Sequence, residues 1–595
     1  MNRVLSEGAR AVRIANCSGF FGDRLSAARE MVEAGEIDVL TGDWLAELTM
    51  LILHKQRARH AELGYASTFL IQMEQVLTAC SERGIKVVTN AGGLNPAGCA
   101  EKVRQIADRL GLDVKVAHIE GDDLLDRIDG LRSQLNHLDT GAPLTGEPVT
   151  ANAYLGGWGI AAALNAGADV VVCPRVTDAA LVVGPAAWWH GWELDDWDAL
   201  AGAVVAGHVI ECGTQATGGN YSWFEEIPDP TLPLGFPIAE VEADGSSTIT
   251  KHPGTGGVVN VGTVTAQLLY EIASPVYANP DVLTRFDTIQ LAQVGADRVR
   301  ISGVVGMPAP PTAKVCINLE GGYRNRMSFV LSGLDQERKA QWLGEALFRR
   351  VGGKEQFDEV DVRFVAAPSD APTQEQASGR LHITVKSRDE RLAGKAFSGA
   401  AIELALANYP GFFATGGPSE AQSYGVFWPA LVDAAEVQEV VVLPDGTHLR
   451  PPRPPIPASP AVPVRVPEPR PSAHSHPGMR VSTPIGGEPA GPQPGEPLGK
   501  YFAARSGDKG GNANVGIWGR DDLGYAWLEH HLTAEAVQRL LPEAATLEVR
   551  RYELPNIHAL NFVIVGLLGD GVASSTAFDA QAKGLGEYLR SRLWP

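Results

Sequence analysis

One alternation constrains this chain more than any other feature. Between residues 12 and 178, five short β-runs (VRIANC, IDVLTGDW, IKVVTNAGG, DVKVAHIEGDD and ADVVVCPRVTD) are separated by segments with helical period. DRLSAAREMVEAG, STFLIQMEQVLTACSERG, CAEKVRQIADRLG and YLGGWGIAAALNAG are such segments. Strand and helix alternating at this pace predict an α/β domain whose mostly parallel, Rossmann-like sheet carries helices on both faces. The β-runs are continuously apolar, as expected of strands covered on both sides.

The texture changes after residue 235. IAEVEADGSSTITKH reads as a hairpin around Asp244-Gly245. Further strands and two helices follow, so residues 236–450 read as a second α+β region. Whether it is continuous with residues 1–235 stays open. Residues 451–497 hold sixteen of the forty prolines and almost no large apolar side chain. Such a segment cannot bury enough surface to offset its ordering entropy, and it is read as a semi-extended tether. Residues 498–595 form a small α+β unit, with Thr533 as the cap of one helix. Within it RSGDKGGNA is too polar for a core strand and reads as a loop between GKYFAAR and NVGIWGR.

Several function classes are excluded or disfavoured. A net charge of −20 with no basic stripe leaves no footprint for nucleic acid. Six cysteines without a CxxC pair fit free thiols in a reducing cytoplasm. No apolar run reads as a signal peptide or a membrane span. SGFFGD is not GxGxxG, and GxxxxGK[ST] is absent, which disfavours a nucleotide- or NAD-dependent enzyme. The chain's size and glycine-rich surfaces predict a homo-oligomer.

In open parallel sheets ligands bind beyond the carboxyl ends of the strands. Here those ends are polar or glycine-rich. They offer Ser18 and Gly19, then Asp43, then Asn90, Gly92, Gly93 and Asn95, then Arg175 and Asp178. Asp43 and Asp178 are candidate acid/base groups, and helix caps are the plainer alternative. The others are candidate ligand-binding positions, and glycine-rich turns can present N–H groups to an anion. GHVIECGTQATGGNYSWF adds His208 and Glu211, three apart and on one face if helical, and Asn220. That pair suits acid/base work or half a metal site, but no further zinc ligands are identifiable and no metal is assigned. In the C-terminal unit Arg505, Asp508, Lys509 and Asn512 suit a loop that binds a ligand or docks on another domain. A hairpin whose polar groups satisfy one another is the alternative. The docking reading has this loop complete the site begun by the strand ends, with Asp508 as a further acid/base group.

RIANCSGFFGDR, LTGDWLAELTM, VVTNAGGLNPAGCA, CPRVTDAALVVGP, HVIECGTQATGGN and ARSGDKGGNANVG occur in this order. The combination resembles the acyclic terpene utilisation A family. The resemblance implies a large α/β domain followed by a small ferredoxin-like domain. It also implies breakdown of citronellol- and geraniol-type terpenoids as CoA thioesters, beside a biotin-dependent carboxylase. It supplies no reaction and no catalytic residue. Two expectations follow: a lyase or hydratase acting on a CoA thioester, with no certain cofactor, or a non-catalytic accessory subunit of an acyl-CoA carboxylase.

Overall fold

The computed structural model describes residues 10–455 and 491–595. Its largest sheet has β1 (Val12–Asn16), β2 (Val39–Gly42), β3 (Lys86–Thr89), β4 (Val116–Glu120) and β6 (Val170–Val172) at the centre. These five are parallel, in the order β1-β2-β3-β6-β4. That order differs from the 3-2-1-4-5-6 order of a dinucleotide-binding sheet. β5 (Pro148–Ala153) lies outside this sheet.

Residue 235 is no break. β7 (Pro237–Val241) pairs antiparallel with β1, and β8 (Ser247–Lys251) returns along β7 as the expected hairpin. β11 (Gln290–Gly295) and β12 (Arg298–Ser302) extend that edge, while β19 (Val440–Val442) and β20 (His448–Leu449) extend the other. The sheet is therefore mixed, with eleven strands. β9 (Val276–Ala278), β10 (Leu283–Arg285) and β13 (Val305–Met307) form a small antiparallel sheet. The helix Trp197–Ile210 is buried on every side from Ala199 to Ile210, which is why its sequence is apolar all round.

The chain divides into two compact units. One contains the chain up to Asn318, Phe427–Val572 and Gln581–Pro595, and it holds the large sheet. The other contains Leu319–Val426 and Ala573–Ala580. β14 (Thr312–Ser332) starts in the first unit, where Asn318 Nδ2 donates to Thr150 Oγ1 of β5 (3.0 Å). In the second unit β14 joins β15 (Glu359–Val365), β16 (Ser378–Ser387) and β17 (Phe413–Ala414) in an antiparallel sheet. Phe329, Leu343, Leu347, Ile383 and Phe397 form its core. β18 (Gln422–Asp433) leads the chain back.

Most of the proline-rich stretch, residues 456–490, lies outside the described residues. Beyond it β21 (Ala503–Lys509), β22 (Asn512–Trp518), β23 (Val549–Leu554) and β24 (Ala559–Ile564) form an antiparallel sheet ordered β21-β22-β24-β23. The helices Asp522–His531, Ala534–Leu540 and Leu585–Ser591 pack with it, and Thr533 caps the second by accepting the Ala536 N–H (3.2 Å).

RSGDKGGNA is not a loop. It is the body of the β21–β22 hairpin, turned by Gly510-Gly511 alone. The side chains of Arg505, Ser506, Asn512 and Asn514 are buried, and other segments supply their hydrogen-bond partners. Asn514 donates to Leu269 O (2.7 Å) and Asn561 Oδ1 (3.0 Å) and accepts the Glu271 N–H (2.9 Å). Asn561 in turn donates to Ile272 O and Ala273 O. A side chain at Gly507 would strike Tyr270 at 2.6 Å, and one at Gly516 would strike Leu269 at 2.5 Å. Glycine is what lets the strand pair lie flat on residues 269–271. No helix among the described residues is long and apolar enough to cross a membrane.

Candidate functional site

The ends of β2 and β6 meet at one buried cluster. Asp43 is 6% exposed, and its Oδ1 accepts from Asn90 Nδ2 (2.6 Å) and the Leu45 N–H (3.0 Å). Asn90 returns its Oδ1 to the Trp44 N–H (2.8 Å), so its role is to fix the Asp43 loop. Burial and the nearby Asp178 carboxylate raise the Asp43 carboxyl well above its ordinary value, against the pull of Arg175. Arg175 is buried, donates to Asp178 Oδ1 (2.8 Å) and stacks over the Tyr154 ring at 4.3 Å. Tyr154 OH donates to Glu47 Oε1 (2.7 Å), with Lys314 Nζ 3.7 Å from the same oxygen. Burial would raise Glu47, but Lys314, Arg175 and Tyr154 hold it down to about 2, so it is ionised.

His208 and Glu211 close the cluster from the end of the Trp197–Ile210 helix. His208 Nδ1 stands 3.3 Å from Glu211 Oε1, with 1% and 7% of the two side chains exposed. That distance suits an ion pair, but the electrostatics do not. Burial, then the Lys509 charge, pushes His208 down to about 4. Burial, then Asp178 and Glu271, pushes Glu211 well up. His208 is therefore neutral at pH 7, and the Glu211 carboxyl is shifted toward its protonated form. The Gln267 backbone lies beside the imidazole, yet neither ring nitrogen nor Glu211 Oε2 meets hydrogen-bonding geometry with a described residue. The ring packs on Tyr277 (5.3 Å) and Phe286 (5.5 Å).

The β21–β22 hairpin supplies the remaining charges. Lys509 Nζ lies 5.4 Å from the centre of the Tyr277 ring and makes no hydrogen bond or ion pair with any described residue. Its charge acts on both His208 and Lys314. Asp508 Oδ1 is 3.4 Å from Lys583 Nζ, which also donates to Glu271 Oε1 (3.2 Å) and to Tyr270 OH. Burial, then Glu271, raises Asp508 to about 7, with Lys583 opposing. Glu271 itself sits at φ 55°, a conformation unusual for a glutamate. Arg505 is 3% exposed, donates to Gln215 Oε1 and stacks over Tyr270 at 4.2 Å.

Asp43, Asp178, Arg175, His208, Glu211, Asp508, Lys509 and Arg505 thus share one site or its wall. The other sequence candidates have different positions. Ser18 Oγ donates to Phe20 O, and the Gly19 N–H is taken by Asp23. The Gly92 and Gly93 N–H groups are taken by Cys173 O (3.1 Å) and Asn90 O (3.2 Å), so this turn has no N–H there to offer an anion. Asn95 caps the helix Pro96–Leu110 and also donates to Glu62 O and Leu63 O. Asn512 bridges Asp139 and the Gly566 N–H. Asn220, at φ 58°, lines a neighbouring cleft. Cys17, Cys99, Cys173 and Cys212 all have thiols raised by burial, which suits packing and not nucleophilic attack. Among the described residues no group of His, Cys, Asp and Glu has the geometry to hold a metal ion.

Glu47, Tyr154, Tyr270, Glu271, Tyr277, Lys314 and Lys583 are the members that sequence reasoning did not reach. Two left a faint signal: Lys314 interrupts the apolar strand TAKVCINL, and Glu47 interrupts LAELTMLIL.

The class is therefore a mixed α/β protein whose C-terminal antiparallel unit lends cations and a carboxyl to a buried, acid-rich site at the parallel strand ends. The family model "Acyclic terpene utilisation family protein AtuA" matches residues 12–443, and "AtuA ferredoxin-like domain" matches residues 497–593. The chain belongs to the acyclic terpene utilisation (AtuA) family, and its C-terminal unit is the family's ferredoxin-like domain. Neither a curated protein nor a solved structure matches it.

Proposed function

We propose that the chain is an enzyme of acyclic terpenoid or branched acyl-CoA catabolism, of lyase or hydratase type, acting on a CoA thioester. Family membership supports the terpenoid context. The observation that carries the chemistry is the buried His208–Glu211 pair, 3.3 Å apart with the imidazole shifted down and the carboxyl shifted up, beside a Lys509 ammonium that has no ion-pair partner among the described residues. Hydration of a 2-enoyl thioester needs a base and an acid at once. Neutral His208 takes a proton from water as the water oxygen bonds to C3. Protonated Glu211 delivers its proton to C2 of the enolate. Lys509 and Arg175 offset the negative charge on the thioester oxygen between those events. His208 then gives up its proton and Glu211 regains one, with His208 Nδ1 3.3 Å from Glu211 Oε1, which resets both groups.

The test is incubation of the purified protein with branched 2-enoyl-CoA thioesters in heavy-oxygen water. The expected product is a labelled 3-hydroxyacyl thioester. His208→Gln and Glu211→Gln should each slow its formation by about 10²–10⁴-fold. No labelled product from any such thioester overturns the proposal. If a biotin-dependent carboxylase then co-purifies stably and tolerates Asp43 and His208 replacements, the accessory-subunit reading takes its place.

A further inference from the structure

Next to the acid–base cluster lies a cleft of about 370 Å³, walled by the loop Gly218–Phe224, by Ala504–Ser506 of β21 and by residues around Lys583. That volume falls in the range of roughly 300–1,000 Å³ typical of small-ligand pockets. The chain as a whole is strongly acidic, yet this lining places Arg505 and Lys583 together. Glu587 also lines the cleft, but both its oxygens lie 2.7 Å from Arg590 Nη1, and Ser222 Oγ is 2.6 Å from one of them. Arg505 is 97% buried by its 3% exposure, and its Nε has no hydrogen-bond partner among the described residues. A guanidinium held so deep with an open donor suits an anion. At the rim, Phe224 is 64% exposed and offers an aromatic face to a flat ring.

We propose that this cleft is an anion subsite for the phosphate ester of the substrate's carrier group, and that Lys583 links its filling to the acid–base cluster. The carrier assignment rests on the reading of the substrate as a CoA thioester. The link is geometric. Lys583 lines the cleft while holding Asp508 (3.4 Å) and Glu271 (3.2 Å). An anion in the cleft competes for that ammonium. Asp508 is then left facing Glu271 and Glu47, with Lys509 beside it in the hairpin, and it takes up a proton more readily. Filling the cleft thereby converts Asp508 from a base toward an acid.

Calorimetry near neutral pH, in buffers of different ionisation enthalpy, tests both halves. The probes are CoA, adenosine 3′,5′-bisphosphate, inorganic phosphate and phosphate-free pantetheine. CoA and the bisphosphate should bind with net proton uptake, and pantetheine should not bind. Arg505→Met and Lys583→Met, each checked for folding by circular dichroism, should weaken CoA binding by about tenfold or more. Asp508→Asn should bind CoA and lose the proton uptake. Unchanged CoA affinity in both methionine variants, or pantetheine binding as tight as CoA, overturns the subsite. Inorganic phosphate binding as tightly as the bisphosphate overturns the carrier assignment. Equal proton uptake in Asp508→Asn overturns the link. Turnover is read separately. Bisphosphate binding without any hydration sinks the hydratase reading alone, and equal hydration of pantetheine and CoA thioesters sinks the cleft alone.

Discussion

TNAGGLN at the end of β3 and RSGDKGGNANVG in the β21–β22 hairpin are alike as strings in being rich in glycine and asparagine. Their physical roles differ. In the first, glycine admits backbone to backbone: a side chain at Gly92 would meet Cys173 O at 2.5 Å, and the amides of the turn are already bonded. In the second, glycine admits a strand face to another segment, and the residues between the glycines carry charge into a site. Glycine density reports close approach, and only the neighbouring side chains say whether a ligand is involved.

That contrast can be broken by stability first. Asn514→Ala strips partners from Leu269 O, the Glu271 N–H and Asn561 Oδ1. Buried groups left unpaired cost about 1–3 kcal/mol each, so a loss of about 3 kcal/mol is expected, with faster hydrogen exchange at residues 269–273. A denaturant midpoint equal to wild type would show that the hairpin does not hold that segment. Gly92→Ala comes next, at about 1–3 kcal/mol from overpacking against Cys173 O and Pro96. Its cost should be the same at every pH, because no titratable group is displaced.

The hairpin should differ in just that respect. Asp508 titrates near 7 when folded against about 3.9 unfolded. Between those values the native state keeps a proton that the unfolded chain has lost, so wild-type stability from this group falls as pH rises through the window. Asp508→Asn removes that dependence. The variant should gain on wild type from about pH 4 to about pH 7, read by melts across pH. A gap that stays constant would place Asp508 outside the charge cluster. The smallest effect on stability is expected from Lys509→Met, within about 0.5 kcal/mol, since the ammonium has no hydrogen bond or ion pair to lose among the described residues. Its signature is local: the His208 imidazole should titrate above its present value of about 4 in NMR spectra. No change there would remove Lys509 from the site.

Part of the candidate cluster was legible because it follows strand polarity. Parallel apolar runs that end in Asp43, Arg175 and Asp178 put those side chains on one edge, and the spacing of His208 and Glu211 put both on one helix face. The hairpin's contribution was legible in composition and misread in form. A strand pair whose inward side chains are Arg, Ser and Asn looks like a loop until the segments that satisfy them are known, and two of those, at Gln215 and Leu269, lie more than two hundred residues away. For the same reason Glu271 and Lys583 were out of reach: they join through Tyr270 and Asp508, across sequence distances that no local period records. The tether leaves no comparable test, since residues 456–490 fall outside the described chain.

The spread of the cluster, from Asp43 to Lys583, also sets a timetable. A ribosome releases Asp43, Glu47, Asp178, Glu211 and Glu271 well before it releases Arg505, Lys509 and Lys583. For that interval Arg175 and Lys314 face the acids without the cations of the hairpin and Lys583, so burying the acids early would be opposed by their mutual repulsion. The cluster can close only after the β21–β22 hairpin and Lys583 have emerged, which makes its assembly a late event in synthesis.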